Sequence, residues 1–270
     1  MKESFVILGA RGTTPVSGRH FEKYGGHTTC FCLKTSRGLI IIDAGTGISL
    51  IEETKDEELL PATLLFTHFH LDHIMALPFL KRIYNSNSSL KLMADSSRKP
   101  DWRSALTNLF APPYWPVAIT KTAAGLEFND LPSAAGSIEL YGVRVSWRPL
   151  YHPQGSLAYR LETGKKSTAI VTDHERGNAT MEEALLNFCE GVDFLIYDAQ
   201  YTPDELETRR HWGHSSWAEG AEIAAKAKVG ELILTHHDYK RRDDEIDKIV
   251  KIARRRFPKT RAAGEKMLLF

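Results

Sequence analysis

Residues 67–73 read Thr67-His68-Phe69-His70-Leu71-Asp72-His73, so three histidines and one aspartate fall within a single short stretch. The apolar run Leu64-Leu65-Phe66 precedes it. Apolar residues recur behind it at helical spacing, at Ile74, Leu77, Phe79, Leu80 and Ile83. The pattern predicts a turn between a strand and a helix, where side chains can point in two directions. Four such side chains in one loop predict two adjacent metal ions.

The residue types of this loop indicate the kind of metal. Imidazole and carboxylate ligands together favour zinc or another borderline divalent ion. No cysteine lies near the loop in the sequence, which argues against a closed structural zinc site. The alternative is a set of solvated loop histidines.

Further candidate ligands stand at the ends of predicted strands. His152 follows Val145–Leu150, Asp173 follows Ala169–Val171, and His236 follows Leu232–Leu234. A lone histidine in such a place is more often structural. Because strand ends can converge on one edge of a sheet, these three side chains can lie close together.

One more aspartate and one more histidine stand at the boundaries of predicted elements. Asp198 ends the predicted strand that begins at Phe194, and His214 stands just before Ser216-Trp217-Ala218-Glu219, a sequence typical of a helix capping box. An aspartate beside a histidine favours imidazolium, the form required of a general acid. The alternative role for His214 is in capping the helix.

These positions together resemble the metallo-β-lactamase superfamily, and more closely its phosphodiesterase branch, which includes ribonuclease Z and small cyclic-nucleotide phosphodiesterases. The resemblance covers nearly the whole chain. It rests on Asp43 in Ile41-Ile42-Asp43-Ala44-Gly45-Thr46-Gly47, the loop at His68, His152, Asp173, and the block from Asp198 through His214 to His236. It implies an α/β fold, a four-layer αββα sandwich of the metallo-β-lactamase type. The apolar pattern predicts a strand over Ser156–Glu162 and helices over Trp217–Lys228 and Asp243–Phe257. Strands that alternate with helices after residue 190 agree with a layered α/β architecture.

The resemblance also implies residue roles. His68, His70 and His152 would bind one metal ion, Asp72, His73 and His236 the other, and Asp173 would bridge both. Catalytic roles would fall to Asp72, Asp198 and His214, with a water between the metals as nucleophile and His214 as proton donor. Asp43 either holds a ligand histidine in place or only forms the turn, and the resemblance favours the first role.

The chain departs from ribonuclease Z in two places. That enzyme has a glutamate where Asp198 stands in Tyr197-Asp198-Ala199-Gln200. Its long-studied bacterial forms also carry an arm that grips tRNA between the positions that match His152 and Asp173. Residues 153–172 leave room here for one hairpin only. Processing of tRNA is therefore a weaker expectation than hydrolysis of a small nucleotide.

Residues 96–137 form an unusual segment within a predicted single domain of residues 1–270. Trp102, Phe110, Tyr114 and Trp115 stand there among several prolines, which exclude a long helix or a central strand. A long irregular insertion is typical of a lid. We expect a cap in which Tyr114 and Trp115 contact the substrate. The alternative is that these aromatics pack the segment against the body or against a second subunit.

Composition limits the classes of partner. The 270 residues are long enough for a large α/β domain, and 35 basic residues nearly cancel 34 acidic ones, so no overall charge attracts nucleic acid or a membrane. No apolar run reaches the length of a signal-peptide core or a spanning helix, and we expect a cytoplasmic protein. Cys30, Cys32 and Cys189 are expected to be reduced and buried.

The leading hypothesis is a phosphodiesterase that depends on two divalent metal ions, zinc first and Mn²⁺ as the alternative. It would hydrolyse a small nucleotide phosphodiester, a cyclic nucleotide first, and act as a homodimer. A tRNA 3′-processing endonuclease is one alternative. A carbonyl hydrolase of a lactone or thioester is another, and it would not need His214 as an acid. A sensor or scaffold without catalysis requires lost ligands, and none is lost.

Overall fold

Two seven-stranded sheets form the body of the protein in a computed structural model that describes residues 3–52, 54–97 and 101–270. The strands, in chain order, are β1 (Ser4–Gly9), β2 (Cys30–Lys34), β3 (Leu39–Ile42), β4 (Ala62–Leu65), β5 (Ser89–Ala94), β6 (Gly125–Asp130), β7 (Gly136–Leu140), β8 (Val143–Leu150), β9 (Ser156–Glu162), β10 (Ser167–Val171), β11 (Phe194–Asp198), β12 (Glu231–Thr235), β13 (Thr260–Ala262) and β14 (Met267–Leu268). The first sheet has the order β14-β1-β2-β3-β4-β5-β6 and the second β13-β12-β11-β10-β9-β8-β7.

Helices cover the outer faces of both sheets. They are α1 (Lys55–Glu58), α2 (Leu71–Ile74), α3 (Trp102–Leu109), α4 (Ala179–Cys189), α5 (Pro203–Glu207), α6 (Trp217–Lys226) and α7 (Asp243–Ala253). Short 3-10 turns span Thr46–Leu50, Leu77–Phe79, Lys81–Tyr84 and Ile119–Lys121. None of the helices in the described ranges is long and apolar enough to cross a membrane.

Alternation along the strands produces the layers. In β2, Phe31 points into the core between the two sheets, whereas Cys30 and Cys32 pack on the outer side with α3. In β12, Ile233 points inward, whereas Leu232 packs on the outer side with α4 and α6. The predicted four-layer α/β sandwich is therefore confirmed. All three cysteines are free and buried, as expected.

The helix predicted behind the metal loop is not continuous. α2 has four residues, and 3-10 turns replace the helix beyond it. Pro78 has no backbone N–H with which to extend an α-helix. Phe79, one of the apolar residues at helical spacing, is 61% exposed as a result. The last predicted helix, 243–257, also ends early, at Ala253, shortly before Pro258.

The segment predicted as a lid supplies parts of the body instead. Residues 98–100 of that prediction lie outside the described residues. Beyond them, α3 buries Trp102 against the outer face of the first sheet, and β6 pairs in parallel with β5 as the edge strand. The prolines do exclude a long helix and a central strand, but not a short helix followed by an edge strand.

Candidate metal centre

The seven predicted ligands lie together at one edge of the two sheets. They come from the loops that follow β4, β8, β10 and β12. Asp43, Asp173 and His236 share a left-handed backbone, with φ of 61°, 57° and 59°. This conformation is uncommon outside glycine and costs of order 1–3 kcal/mol per residue, so the surrounding structure must hold it. Each residue stands at most two positions beyond a strand end, where the chain turns sharply.

One half of the cluster contains only histidines. His68, His70 and His152 can all direct a ring nitrogen to one point. His152 Nε2 lies 3.1 Å from His70 Nδ1, and the His68 ring centroid lies 4.5 Å and 4.8 Å from those of His70 and His152. Such close approach of basic nitrogens is typical of a shared cation.

The other half contains a carboxylate. Asp72 Oδ2 lies 3.5 Å from His73 Nε2 and 3.4 Å from His236 Nε2. Asp173 lies between the halves: its Oδ1 is 3.8 Å from His68 Nε2, and its Oδ2 is 3.2 Å from His73 Nε2. The arrangement offers two adjacent ligand sets that share one carboxylate.

Hydrogen bonds at Nδ1 orient three of these imidazoles. His73 Nδ1 donates to Asp43 Oδ2 at 2.7 Å, His152 Nδ1 to the Gly213 carbonyl at 2.7 Å, and His236 Nδ1 to Gln200 Oε1 at 2.9 Å. Because each Nδ1 is engaged, each Nε2 is directed into the cluster, a pattern typical of metal-binding histidines.

Asp43 organises the metal loop from behind. Its carboxylate also accepts hydrogen bonds from the Thr67 amide at 2.8 Å and the Thr67 hydroxyl at 2.7 Å. Because that hydroxyl donates to Asp43, it accepts from His68 Nδ1, 3.0 Å away. The structure places Asp43 where it holds two predicted ligand histidines, His73 directly and His68 through Thr67, and the Thr67 contribution was not predicted.

Unsatisfied atoms test whether this cluster fits a metal. The Nε2 atoms of His68, His73 and His236 and Oδ2 of Asp173 are buried without a hydrogen-bond partner among the described residues. Leaving a buried polar atom unpaired costs about 1–3 kcal/mol. Four such atoms converge on one place, and imidazole and carboxylate are the donors that borderline divalent ions prefer. The residues fit a pair of divalent ions.

The cluster is electrostatically divided. Burial lowers the pKa of His68 and His152, the latter to about 4. Burial also opposes charge on His73 and His236, but Asp173 and other nearby carboxylates outweigh it and raise the pKa of both, that of His236 to about 9. Metal ions that bind here would therefore displace protons from the carboxylate-containing half.

The predicted acid pair lies beside Asp173. His214 Nδ1 donates to Asp198 Oδ2 at 2.9 Å and lies 3.7 Å from Asp173 Oδ1. Asp198 is fully buried, and the same Oδ2 accepts the Asp173 amide at 3.0 Å. The Ser216 capping box begins α6 as predicted, but the side chain that caps it belongs to Ser216 and not to His214.

A cavity of about 490 Å³ opens onto this site. Its lining residues are Thr13, His70, Asp72, Asp173, Gln200, Tyr201, Arg209, Trp212, His214, Asp238, Tyr239 and Lys240. Those from loops 199–214 and 238–240 were largely missed by the sequence analysis. The basic and aromatic run from Arg209 to Trp212, directly before His214, was the signal that could have found them.

The predicted substrate contacts lie elsewhere. Neither Tyr114 nor Trp115 lines the cavity. Trp115 packs edge-to-face on Phe79, with ring centroids 5.1 Å apart, and its Nε1 donates to the Tyr84 hydroxyl at 3.0 Å. Tyr114 is 78% exposed. The second reading of these aromatics, packing of the segment against the body, describes Trp115 in this structure.

Gly213 allows His152 to approach the backbone. It has φ +83°, and a Cβ at this position would lie 2.2 Å from His152 Nδ1. Only glycine tolerates both conditions. Its carbonyl is the acceptor that orients His152, so the residue next to His214 also fixes a predicted ligand.

The two packed sheets, with the cluster of histidines and aspartates at their shared edge, define a metal-dependent hydrolase of the metallo-β-lactamase fold. The chain belongs to the beta-lactamase superfamily domain family, whose profile matches residues 39–237.

Comparison with known proteins agrees with this family. A ribonuclease Z from Ignicoccus hospitalis is 23% identical across 97% of this chain and 96% of its own length. A ribonuclease Z from Anoxybacillus flavithermus is 32% identical, but over 33% of this chain and 28% of its own length. The metallo-beta-lactamase fold protein YhfI from Bacillus subtilis has a TM-score of 0.76 and 18% identity, with both chains fully covered. The short form of human tRNase Z has a TM-score of 0.71 and 14% identity, over 99% of this chain and 98% of its own.

Proposed function

We propose that this chain is a two-metal phosphodiesterase that hydrolyses a small nucleotide phosphodiester, a cyclic nucleotide among the candidates. The observation that carries the proposal is the Asp198–His214 pair, which adjoins Asp173 and opens to the cavity through His214. A phosphodiester that expels an alkoxide needs a proton at its leaving oxygen. A carbonyl hydrolase of the same fold needs no such donor.

We infer that two divalent ions bind, one to His68, His70 and His152 and the other to Asp72, His73 and His236, with Asp173 between them. Imidazole and carboxylate donors favour zinc, with Mn²⁺ as the alternative. When bound, such ions stabilise charge on phosphoryl oxygens and lower the pKa of water.

The residues of the chain would orient the substrate and transfer the proton. His214 Nδ1 is engaged by Asp198, so Nε2 is the atom that can carry a proton to the leaving oxygen. The Asp198 carboxylate fixes that tautomer and the orientation of the ring. The Thr13 amide donates to Asp72 Oδ2 at 2.8 Å and holds this carboxylate in place before any substrate binds.

A tRNA-processing nuclease is the second candidate, because ribonuclease Z from Ignicoccus hospitalis matches nearly the whole chain. Two features favour a small substrate over tRNA. Residues 163–166 join β9 to β10 directly, which leaves no arm between His152 and Asp173. The near balance of 35 basic and 34 acidic residues provides no overall field for a polyanion.

We further propose that residues 1–270 form one domain and that the protein is a cytoplasmic homodimer. A single core shared by both sheets supports the first statement. Light scattering across a range of protein concentrations tests the second, and a mass that stays at one chain would contradict it.

Metal content and substrate range test the proposal. Protein purified without chelator should hold about two divalent ions per chain, and one or fewer after reconstitution would contradict the two-metal assignment. Asp173→Ala should abolish turnover and leave a folded protein, since open catalytic sites contribute less to folding than closed structural ones.

The substrates to compare are cyclic mononucleotides, cyclic dinucleotides, bis(p-nitrophenyl) phosphate, precursor tRNA and lactones. Hydrolysis of lactones without hydrolysis of any phosphodiester would contradict the proposed phosphodiesterase activity.

A further inference from the structure

Two cations line the cavity beside the proposed catalytic residues without a carboxylate partner. Arg209 and Lys240 contribute to the same cavity as Asp72, Asp173 and His214. Across residues 3–52, 54–97 and 101–270, neither side chain forms an ion pair. Lys240 is exposed, and Arg209 is half-buried with its guanidinium donating to the Glu205 backbone carbonyl at 3.4 Å. A cation without an ion-pair partner at the wall of a substrate cavity is available to an anionic ligand.

Two neighbouring arginines, Arg241 and Arg11, each lie beside a carboxylate. Arg241 pairs with Glu205, and the fully buried Arg11 lies 3.6 Å from Asp243 and donates to the Gly25 carbonyl at 2.7 Å. These two side chains tie loops together and have no free charge to offer. The unpaired state of Arg209 and Lys240 is therefore a local property of the cavity and not a general feature of this end of the molecule.

Arg209 is positioned near the proposed proton donor. Its guanidinium carbon lies 5.0 Å from the centroid of the Tyr201 ring, within the range of a cation–π contact. The same ring meets His214 edge-on, with centroids 5.9 Å apart. Tyr201 is buried, so it is a fixed support for both. Arg209 is thus held one ring away from the imidazole that would face the leaving group.

Lys240 comes from the loop beyond β12. Its ammonium lies 5.2 Å from the centroid of the Tyr239 ring, and its amide donates to Asp238 Oδ1 at 2.8 Å. Asp238 lines the cavity too, and one of its oxygens is engaged by this hydrogen bond. Asp72 and Asp173 are directed to the histidine cluster, so Arg209 and Lys240 are the groups of this wall that can attract an anion.

We propose that Arg209 and Lys240 bind a second phosphate of the substrate, so that the substrate is a small nucleotide carrying a phosphate besides the scissile diester. The inference rests on the proposed function, because it assigns the scissile diester to the metal cluster. A cyclic mononucleotide has one phosphate, which the metals would occupy, and it would leave both cations without a partner. A cyclic dinucleotide or a terminally phosphorylated nucleotide supplies the missing group.

Competitive inhibition tests the inference with two matched probes. Adenosine 3′,5′-bisphosphate and AMP would each compete with bis(p-nitrophenyl) phosphate on the metal-loaded full chain, and the ratio of their inhibition constants is the readout. The ratio cancels general damage to the site. We expect the bisphosphate to bind about tenfold tighter than AMP, the effect of one charge-assisted contact. Arg209→Ala and Lys240→Ala should each move the ratio towards one, and Arg209→Lys should restore part of it.

Arg210→Ala is the matched control, because Arg210 is exposed and does not line the cavity. It should leave the ratio unchanged. A wild-type ratio near one, or a ratio that survives both alanine substitutions, would overturn the inference. Tighter competition by a twenty-residue oligoribonucleotide, lost in the same two variants, would assign the second phosphate to RNA and overturn the small-nucleotide substrate.

Titration calorimetry of both nucleotides with metal-loaded protein gives the same ratio without turnover. It separates the two proposals. If the wild-type chain does not hydrolyse any phosphodiester, the proposed function fails, and the calorimetric ratio still decides whether Arg209 and Lys240 bind a second phosphate.

Discussion

Residues 101–121 and residues 197–214 are both rich in aromatic side chains, but the two segments serve different surfaces. The first packs Trp102 and Phe110 onto the outer face of the first sheet. The second places Tyr201 and Trp212 in the wall of the cavity. The difference follows from how fully helices cover the outer face of each sheet. α4 and α6 already cover the second sheet, whereas only short helices and turns cover the first, so its outer face recruits aromatics from the segment after β5.

The first segment still acts on the site, but from behind. Trp102 stacks on Phe69, with ring centroids 6.3 Å apart and planes at 22°. Phe69 stands between His68 and His70 in the metal loop and packs with the outer core. The segment therefore supports the loop that carries four of the predicted ligands, whereas residues 197–214 face the space that a substrate would occupy.

The largest expected effect tests the cavity-facing segment. His214→Ala should lower kcat on a nucleotide phosphodiester by about 10² to 10⁴, the usual contribution of a positioned acid. The loss on bis(p-nitrophenyl) phosphate should be small, because nitrophenolate leaves without a proton. Steady-state kinetics on both substrates measure the difference. Equal losses would mean that His214 only supports the site.

His214 gives a cleaner test than its partner. Asp198→Asn should mimic the effect more weakly, because it weakens the hydrogen bond that orients His214 and leaves the imidazole in place. The same Asp198 oxygen also accepts the Asp173 amide, so a change there can disturb a predicted metal ligand.

The next prediction concerns the supporting segment. Trp102→Ala should lower the free energy of unfolding by about 3–5 kcal/mol, because it empties a buried site in the outer core. The Trp102 indole also donates to Asp130 Oδ1 at 2.9 Å, and that contact would be lost. Urea unfolding of both proteins gives the value. A loss below about 1 kcal/mol would show that the segment is not part of the body.

A smaller effect is expected at the mouth of the cavity. Trp212 is 61% exposed and lines the cavity, so its ring is free to stack on a base. Stacking on an aromatic side chain contributes about 1–3 kcal/mol per base. Trp212→Ala should therefore raise KM for a nucleotide by about tenfold. The free energy of unfolding of the protein should change little. An unchanged KM would remove Trp212 from the substrate surface.

The smallest effect is expected at Tyr114, the matched exposed aromatic of the other segment. It is 78% exposed and does not line the cavity. Tyr114→Ala should leave KM for a nucleotide unchanged. It should also change the free energy of unfolding by no more than about 0.5 kcal/mol, as is usual for surface positions. A rise in KM comparable to that of Trp212→Ala would restore the predicted lid and erase the contrast between the two segments.

Much of the fold was predictable because its periodic signals were strong. β9 spans Ser156–Glu162 as predicted, and the helix predicted from Trp217 begins there as α6. The predictions failed where turn chemistry prevailed. Pro78 interrupts the helix behind the metal loop, and α3 and β6 form within a stretch whose prolines suggested an irregular loop.

The sequence by itself determined which polar residues stand at the strand ends, because a buried strand must stop where its apolar run stops. His68, Asp173 and His236 were identifiable for that reason. Only the tertiary structure decided which charged side chains meet the cavity without an ion-pair partner. Arg209 and Arg241 are the same residue type, but the Glu205 carboxylate pairs with Arg241, whereas Arg209 meets the Glu205 backbone carbonyl. The physical reason is that burial is encoded in local periodicity, whereas the partner of a surface charge depends on which distant segments pack beside it.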